Sequence, residues 1–168
     1  PSLNSLGGAE IKLNSALRSI SLPALQSISN SFDIFYNMEN MENLDLSSLG
    51  TVGGDLFIVG NEQLNFLPLE NLIEVGGDLN LNHGTVPEMK MPLLTQVNGQ
   101  ISLVGLSELS SVEMPILESA GGLYLGSNPL LASLTLPKLS NIEQILRITY
   151  SDAMGDYSFP VLESIGGL

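Results

Sequence analysis

The chain has 168 residues, of which 43% are hydrophobic and 14% charged, and its formal net charge is −13. This length suits a single domain, and so apolar a composition excludes a disordered chain. Only five Lys and Arg residues stand against eighteen Asp and Glu residues, which argues against nucleic acid as a partner because a phosphate backbone selects a basic surface.

Each repeat of the chain begins with two apolar residues three positions apart. These pairs are Leu3/Leu6, Leu25/Ile28, Leu49/Val52, Leu72/Val75, Leu94/Val97, Leu117/Ala120, Leu139/Ile142 and Leu162/Ile165. A turn follows, and it contains glycine at Gly7-Gly8, Gly53-Gly54, Gly76-Gly77, Asn98-Gly99, Gly121-Gly122 and Gly166-Gly167. We expect a corner with positive φ in this turn, because glycine and asparagine adopt that conformation at the least steric cost.

An alternating segment comes next, with two apolar residues separated by one other residue. Its members are Ile11/Leu13, Phe32/Ile34, Leu56/Ile58, Leu79/Leu81, Ile101/Leu103, Leu123/Leu125 and Leu146/Ile148. A period of two predicts a β-strand with these side chains on one face. Asn37, Asn61 and Asn128 lie five residues past the first apolar residue of their segments, which predicts a partial ladder of asparagines that bond the backbone of adjacent turns. The same place elsewhere is held by Ala16, Gly84, Leu106 and Ser151.

The last segment of each repeat has the pattern L-x-x-L-x-L. Its seven copies are Leu17/Ile20/Leu22, Met41/Leu44/Leu46, Leu64/Leu67/Leu69, Val86/Met89/Met91, Leu109/Val112/Met114, Leu131/Leu134/Leu136 and Met154/Tyr157/Phe159. A proline directly follows five of them, at Pro23, Pro92, Pro115, Pro137 and Pro160. Proline lacks an N–H group, so we expect a corner outside the hydrogen-bonded ladder there.

The repeat period is 22 to 24 residues, and no segment is long enough for a typical helix. One turn of three short strands cannot bury its own leucines, whereas stacked turns can. The sequence therefore predicts an all-β fold, a parallel β solenoid of about seven turns. We expect residues 1–168 to form one solenoid domain of a longer repeat protein. Pro1 to Gly8 matches Pro160 to Gly167 in pattern, so both ends would leave strand edges open to end-to-end self-association.

The succession of an alternating L-x-L strand, a loose N-x-x-L and L-P-x-L-x-x-[I/V]-G-G resembles the receptor L-domain repeat, a leucine-rich-repeat-like solenoid. The clearest stretches run from Leu44 to Leu81 and from Met114 to Asn128. The chain is most similar to fungal GPI-anchored cell-wall proteins of the sporulation-specific type, and more distantly to the ligand-binding L domains of insulin and epidermal growth factor receptors. The chain has no cysteine and no Asn-x-Ser/Thr acceptor, so a bacterial surface repeat protein stays open. The resemblance implies a cell-surface or extracellular location.

The outward position of the alternating strands predicts one exposed stripe along the rod, formed by Lys12, Asp33, Phe57, Asn80, Ser102, Tyr124 and Arg147. Further side chains that the core does not need lie close by, at Phe35, Tyr36, Val59, Val104 and Tyr150. Exposed aromatic groups on a flat sheet are typical of a binding face. The candidate binding residues are Phe57, Tyr124, Phe35, Tyr36, Asn80 and Arg147. Ordinary surface scatter, or cover from a neighbouring domain, is the alternative interpretation.

Enzymatic function has no positive support in the sequence, and we expect no catalytic residue, no metal site and no cofactor. The one histidine, His83, has no serine or carboxylate at a recognisable motif distance. Gly53-Gly54-Asp55 and Gly76-Gly77-Asp78 resemble part of a β-roll calcium motif, but that motif repeats every nine residues and these aspartates are 23 apart.

Two functions remain. The first is a non-enzymatic recognition or adhesion module of the cell surface that binds a protein or carbohydrate ligand through the exposed strand face. The second is a structural rod or fibre subunit that assembles end to end. The apolar runs are too short for membrane insertion within this segment.

Overall fold

The computed structural model describes residues 2–37, 40–155 and 157–166, so the predictions that involve Pro1 and Gly167 lie outside the described residues. Eighteen short strands and no helix occur in these ranges, and none of the described segments is therefore a helix long and apolar enough to cross a bilayer. Every strand pair is parallel, and successive turns of 22 to 24 residues stack on one another. The predicted fold, an all-β parallel solenoid of about seven turns, is confirmed.

Thirteen strands form one sheet that covers two faces of the solenoid. The strands of the L-x-x-[I/V/A] segments form the first face: β1 (Ser5–Leu6), β4 (Ser27–Ile28), β7 (Thr51–Val52), β9 (Glu74–Val75), β16 (Asn141–Ile142) and β18 (Ser164–Ile165). The alternating segments form the second face: β2 (Ala9–Lys12), β5 (Phe32–Phe35), β8 (Leu56–Val59), β10 (Leu79–Asn80) and β17 (Leu146–Thr149). Two longer strands, β12 (Gln96–Val104) and β14 (Ser119–Gly126), run through both faces and join them.

The third face carries the L-x-x-L-x-L segments in two separate sheets. One pairs β3 (Ser19–Ser21) with β6 (Asn43–Asp45), and the other contains β11 (Glu88–Lys90), β13 (Ser111–Glu113) and β15 (Ser133–Thr135). The segment between them has no strand, although Leu64, Leu67 and Leu69 are buried. Pro68 lies within it, and a proline cannot donate to the ladder.

The prolines after this segment lie in tight turns, as predicted. The N–H group of Leu25 donates to the carbonyl oxygen of Leu22 at 3.0 Å, which places Pro23 second of the four turn residues, the position that proline favours. The equivalent bond from Leu139 to Leu136 measures 3.3 Å. Proline therefore fixes this corner without removing a hydrogen bond from a strand pair.

The core is a continuous stack of apolar side chains from the three faces. Leu79 pairs with Leu56 on one side and Ile101 on the other, and all three are fully buried. Burial alternates along β5, where Phe32 and Ile34 are buried and the residues between and after them are not. Tyr157 was predicted to point inward, but it lies in the last described turn and is 58% exposed. No described turn packs over it.

The predicted register of the first turn is wrong. Ala9 pairs with Phe32 and Ile11 with Ile34, so Ala9 and Ile11 occupy the two inward positions, and Leu13 is 71% exposed. The sequence predicts Lys12 beside Asp33, but Lys12 pairs with Phe35 and Glu10 pairs with Asp33. The reason is the length of the preceding turn, which has two residues between Leu6 and the strand in the first repeat but three between Ile28 and Phe32.

The predicted asparagine ladder is confirmed, and it gains one member in the first turn. Asn37, Asn61 and Asn128 are buried, and their side-chain oxygens accept the backbone N–H groups of residues one turn earlier. The sequence predicts a gap at Ala16, but with the register of the first turn shifted by two residues Asn14 lies at this position, and its N–H donates to Asn37 Oδ1 at 3.0 Å. Gly84 interrupts the ladder, and a cavity of about 20 Å³ lies beside it.

The predicted corner with positive φ lies elsewhere. Positive φ occurs four residues past the first inward residue of each alternating segment, at Leu13, Tyr36, Gly60, His83, Gly105, Ser127 and Tyr150. The glycine pairs before those strands have ordinary φ values, but a Cβ at Gly53 would overlap the carbonyl oxygen of Ser29, and one at Gly76 that of Gly53. Close approach of adjacent turns, rather than backbone conformation, requires glycine there.

Candidate functional site

The outer surface of the second face carries one side chain per turn in a continuous column. Strand pairing aligns them in the order Glu10, Asp33, Phe57, Asn80, Ser102, Tyr124 and Arg147. We call this column the outer stripe. It contains every member of the predicted stripe except Lys12, which lies two residues further along its strand, beside Phe35.

Three aromatic side chains form a cluster in the first half of this face. The ring centroids of Phe35 and Phe57 are 5.9 Å apart at an interplanar angle of 54°, and those of Phe35 and Tyr36 are 6.3 Å apart at 27°. Tyr36 has positive φ and its ring lies over Gly60 of the next turn, so that a Cβ at Gly60 would overlap the ring. The structure thus brings together three of the predicted binding residues, and Tyr36 remains 48% exposed.

Tyr124 and Arg147 form a second cluster. Along the outer stripe, Tyr124 lies three strands from Phe57 and Arg147 lies four strands from it. The two residues pair across β14 and β17, and the Arg147 guanidinium lies 5.6 Å from the centre of the Tyr124 ring. A cation at this distance from an aromatic face is attracted by the ring quadrupole. At a spacing of about 4.8 Å per strand, roughly 14 Å separates this cluster from Phe57.

Polar residues occupy the space between the two aromatic clusters. Asn80 lies between Phe57 and Ser102 in the outer stripe, and its Oδ1 is a buried atom without a hydrogen-bond partner among the described residues. Asn82 was not singled out by the sequence, yet its Oδ1 accepts the N–H of Val104 at 2.6 Å and its amide donates to Ser102 Oγ at 3.1 Å. The alternation Leu79-Asn80-Leu81-Asn82 is the sequence pattern from which the position of Asn82 on this face could be predicted.

The remaining predicted neighbours differ in exposure. Val59 is buried at 8% exposure and Val104 is half-buried, so neither offers much free apolar surface. Tyr150 is 79% exposed at the corner beyond the strand, where its φ is positive.

Asp33 is the carboxylate that the fold leaves least satisfied. Its Oδ1 is buried, and no described residue donates a hydrogen bond to it. Desolvation is the main reason that the pKa of Asp33 is raised; the charges of Asp55 and Glu10 also raise it, and Lys12 acts in the opposite direction. Lys12 Nζ contacts Glu10 Oε1 at 2.7 Å, so this ammonium group is already paired.

Asp55 and Asp78, the residues of the calcium-like pattern, belong to a different hydrogen-bond ladder. Ser31 Oγ accepts the N–H of Asp55 at 3.0 Å, Asp55 Oδ1 accepts that of Asp78 at 2.8 Å, and Asp78 Oδ1 accepts that of Gln100 at 2.7 Å. These carboxylates therefore tie adjacent turns together. Within the described ranges, no three His, Asp or Glu side chains meet in a group that could hold a metal ion.

His83 lies at the corner with positive φ, and its ring packs over Gly105 of the next turn. It takes the position that Tyr36 takes over Gly60, so its place follows from the repeat. A shallow cleft of about 210 Å³ beside it is lined by Glu62, Thr85 and Ser107 among others.

No protein-family model matches the chain, and no curated protein and no solved structure matches it either.

Proposed function

We propose that this protein is a non-enzymatic recognition or adhesion module that binds a protein or glycan partner through the outer stripe. The proposal includes a cell-surface or extracellular location. The leucine-rich, receptor L-domain-like pattern of the sequence supports both points, since the L domains that it resembles bind ligands.

One observation carries the proposal, namely the aromatic surface on the outside of the second face. Phe35, Tyr36 and Phe57 form one cluster, and Tyr124 with Arg147 a second, although the core on the other side of the sheet is already filled by residues such as Ile34 and Leu125. Aromatic and arginine side chains are the residues that contribute most to binding at interfaces. The parallel sheet holds the backbone of these residues in fixed relative positions, so little backbone entropy is lost on binding.

The test compares the protein with a Phe57→Ala/Tyr124→Ala double variant on an array of glycans and on an array of extracellular proteins. We expect any ligand found with the unchanged protein to bind the double variant at least about tenfold more weakly, since loss of hot-spot residues costs about 2 kcal/mol or more. Phe66→Ala is the matched control, because Phe66 is an exposed aromatic residue on the third face. Equal affinities of protein and double variant would place the binding site on another face.

The alternative function is a structural rod that assembles end to end. The observation that favours it is the open edge of β2 and of β17, each of which pairs with one strand among the described residues. Unpaired strand edges are templates for further strands. Sedimentation over a range of concentrations tests it, and growth of the particle without any ligand would support the rod.

A further inference from the structure

A corner follows the second face, and one residue per turn has positive φ there. We call these residues the corner column: Leu13, Tyr36, Gly60, His83, Gly105, Ser127 and Tyr150. Glycine adopts positive φ at the least steric cost, whereas a bulky residue is strained by it. Because Gly60 and Gly105 serve at this corner, the fold does not require the larger Tyr36 and His83 there. Residues that are kept in a strained conformation are typical of functional sites.

Tyr36 and His83 hold their rings in the same way. The Tyr36 ring lies over Gly60 of the next turn, and the His83 ring lies over Gly105 of the next turn. A Cβ at either glycine would overlap the ring. Both side chains are nevertheless exposed. The next turn therefore supports each ring without covering it, and each ring is accessible to a ligand.

The corner column is continuous with the outer stripe. The Tyr124 ring leans toward the corner, because a Cβ at Gly126, two residues further along the same strand, would overlap it. In the first half of the face, the Phe35 ring connects Tyr36 with Phe57, at centroid distances of 6.3 Å and 5.9 Å. The rings of the corner and of the outer stripe therefore form one surface.

The rings of this surface recur along the solenoid axis. Tyr36 comes after β5, His83 comes after β10, and Tyr124 lies in β14, and these are alternate strands of the second face. At about 4.8 Å per strand, successive members are roughly 10 Å apart along the axis. One strand spacing is close to the length of one sugar residue in an extended glycan, and alternate residues of a β-1,4-linked glycan present the same face. Such a chain brings one sugar ring to each of the three side chains.

A cleft of about 210 Å³ lies beside the His83 ring. Glu62, Thr85 and Ser107 line it, one from each of three successive turns. The side chains of Glu62 and Ser107 are exposed, and their oxygen atoms accept hydrogen bonds from hydroxyl groups. A ring beside a few polar groups that fix the orientation of the ligand is the usual composition of a small-molecule site.

Charge and polarity favour a neutral glycan over other partners. No member of the corner column is Lys or Arg, and the net charge of −13 repels an anionic glycan. Gly60, Gly105 and Ser127 lie between the rings of the column, which therefore lacks the continuous apolar centre that protein interfaces bury. Separate rings in polar surroundings fit the separate apolar faces of successive sugar residues.

We propose that Tyr36, His83 and Tyr124 bind a neutral, unbranched β-1,4-linked glycan that lies along the solenoid axis. A sugar ring packs on each of the three side chains, and sugar hydroxyl groups donate hydrogen bonds to Glu62 and Ser107 in the cleft. The inference rests on the proposed function and narrows it, because it selects a glycan over a protein. It also extends the contact surface from the outer stripe to the corner.

Isothermal titration calorimetry with cellohexaose and chitohexaose tests the inference. We expect saturable binding of at least one of these β-1,4-linked glycans, and binding about tenfold weaker of laminarihexaose, whose β-1,3 linkages change the repeat. Tyr36→Gly and His83→Gly should each weaken binding by about fivefold, the value of one aromatic contact. Both variants should fold, since glycine occupies this corner at Gly60 and Gly105. Leu13→Gly is the matched control, because Leu13 is exposed with positive φ but carries no aromatic ring.

Four results would overturn the inference: no binding of either β-1,4-linked glycan, laminarihexaose bound as tightly as they are, unchanged affinity of Tyr36→Gly and His83→Gly, or an equal loss of affinity in Leu13→Gly. Thermal unfolding shows whether each variant is folded. The outcome is distinct from that of the array experiment. A protein partner that is lost from the Phe57→Ala/Tyr124→Ala variant would leave the proposed function standing even if neither glycan binds.

Discussion

Asn61 Oδ1 accepts the backbone N–H of Asn37 at 3.2 Å, while the Asn61 amide donates to the carbonyl oxygen of Ile34 at 3.1 Å. One side chain thus bonds two backbone groups of the preceding turn, one inside β5 and one just past its end. Asn61 is itself 2% exposed, so water does not replace these bonds when the side chain is removed.

Asn61→Ala should therefore destabilise the protein by about 1–3 kcal/mol, since it leaves the buried N–H of Asn37 without its partner. Thermal or urea unfolding measures the difference. Asn65→Ala is the control, because Asn65 is exposed in the same turn. If both variants unfold at the same denaturant concentration, the ladder does not stabilise the fold.

Gly84→Asn should stabilise the protein, because it adds an asparagine at a position where the same ladder lacks one. A Cβ at Gly84 would meet its neighbours at ordinary distances, the nearest being Leu106 Cδ2 at 3.5 Å, and φ at Gly84 is not positive. The new amide would fill the cavity and accept the N–H of Asn61. We expect the hydrogen bond to raise the free energy of unfolding by about 1 kcal/mol. Replacing glycine stabilises the protein further, because it reduces the backbone freedom of the unfolded chain.

Gly84→Ala separates these two contributions, because alanine removes the backbone freedom of glycine without adding an amide. Chemical denaturation of both variants should rank Gly84→Asn above Gly84→Ala, and Gly84→Ala above the unchanged protein. A Gly84→Asn variant no more stable than Gly84→Ala would show that the amide does not join the ladder.

Gly76→Ala should destabilise the protein by about 2 kcal/mol or more, because its Cβ would overlap the carbonyl oxygen of Gly53 and backbone atoms cannot move aside cheaply. Gly7→Ala is the matched control, since Gly7 holds the same place in the first turn and a Cβ there would meet no atom within 4 Å. Melting temperatures of the two variants provide the comparison. A similar temperature for both would mean that adjacent turns separate easily.

Asp33→Asn should stabilise the protein at neutral pH and lose this advantage in acid. The pKa of Asp33 is raised in the folded state, so the folded protein binds its proton more tightly than the unfolded chain, whose aspartates have a pKa of about 3.9. Ionisation of Asp33 therefore lowers the free energy of unfolding as the pH rises from about 3.9 through the higher pKa of the folded protein. Below about pH 3.9 this loss of stability is absent.

Urea unfolding of the protein and of Asp33→Asn at pH 3 and pH 7 tests this sign. Glu113→Gln serves as the control for loss of one negative charge from the surface. A stabilising effect of Asp33→Asn that is as large at pH 3 as at pH 7 would contradict the assignment to ionisation.

The sequence by itself determined the solenoid, its period and the inward position of most apolar residues. These follow from local patterns: alternation as in Leu79-Asn80-Leu81 assigns each side chain to a face, and an apolar repeat that cannot bury itself must stack. The buried asparagines Asn37, Asn61 and Asn128 were predicted for the same reason, because they recur at one phase of the repeat.

Only the tertiary structure decided which residues meet across neighbouring turns. In the first turn, Ile11/Leu13 and Ala9/Ile11 alternate equally well. The structure selects Ala9 and Ile11, because the turn before them is short and the two residues pair with Phe32 and Ile34. Strand register is non-local, so a shift of two residues preserves the face of every side chain but changes all its partners.

The same reason applies to the candidate binding site. The sequence placed Asp33 and Phe57 in one column, but the contact between Phe35 and Phe57 and the Asp33 oxygen without a donor depend on side-chain packing between turns. The glycine pairs predict positive-φ corners, because glycine permits that conformation. The distance between two backbones more than twenty residues apart in the chain, which no local pattern encodes, was the actual cause.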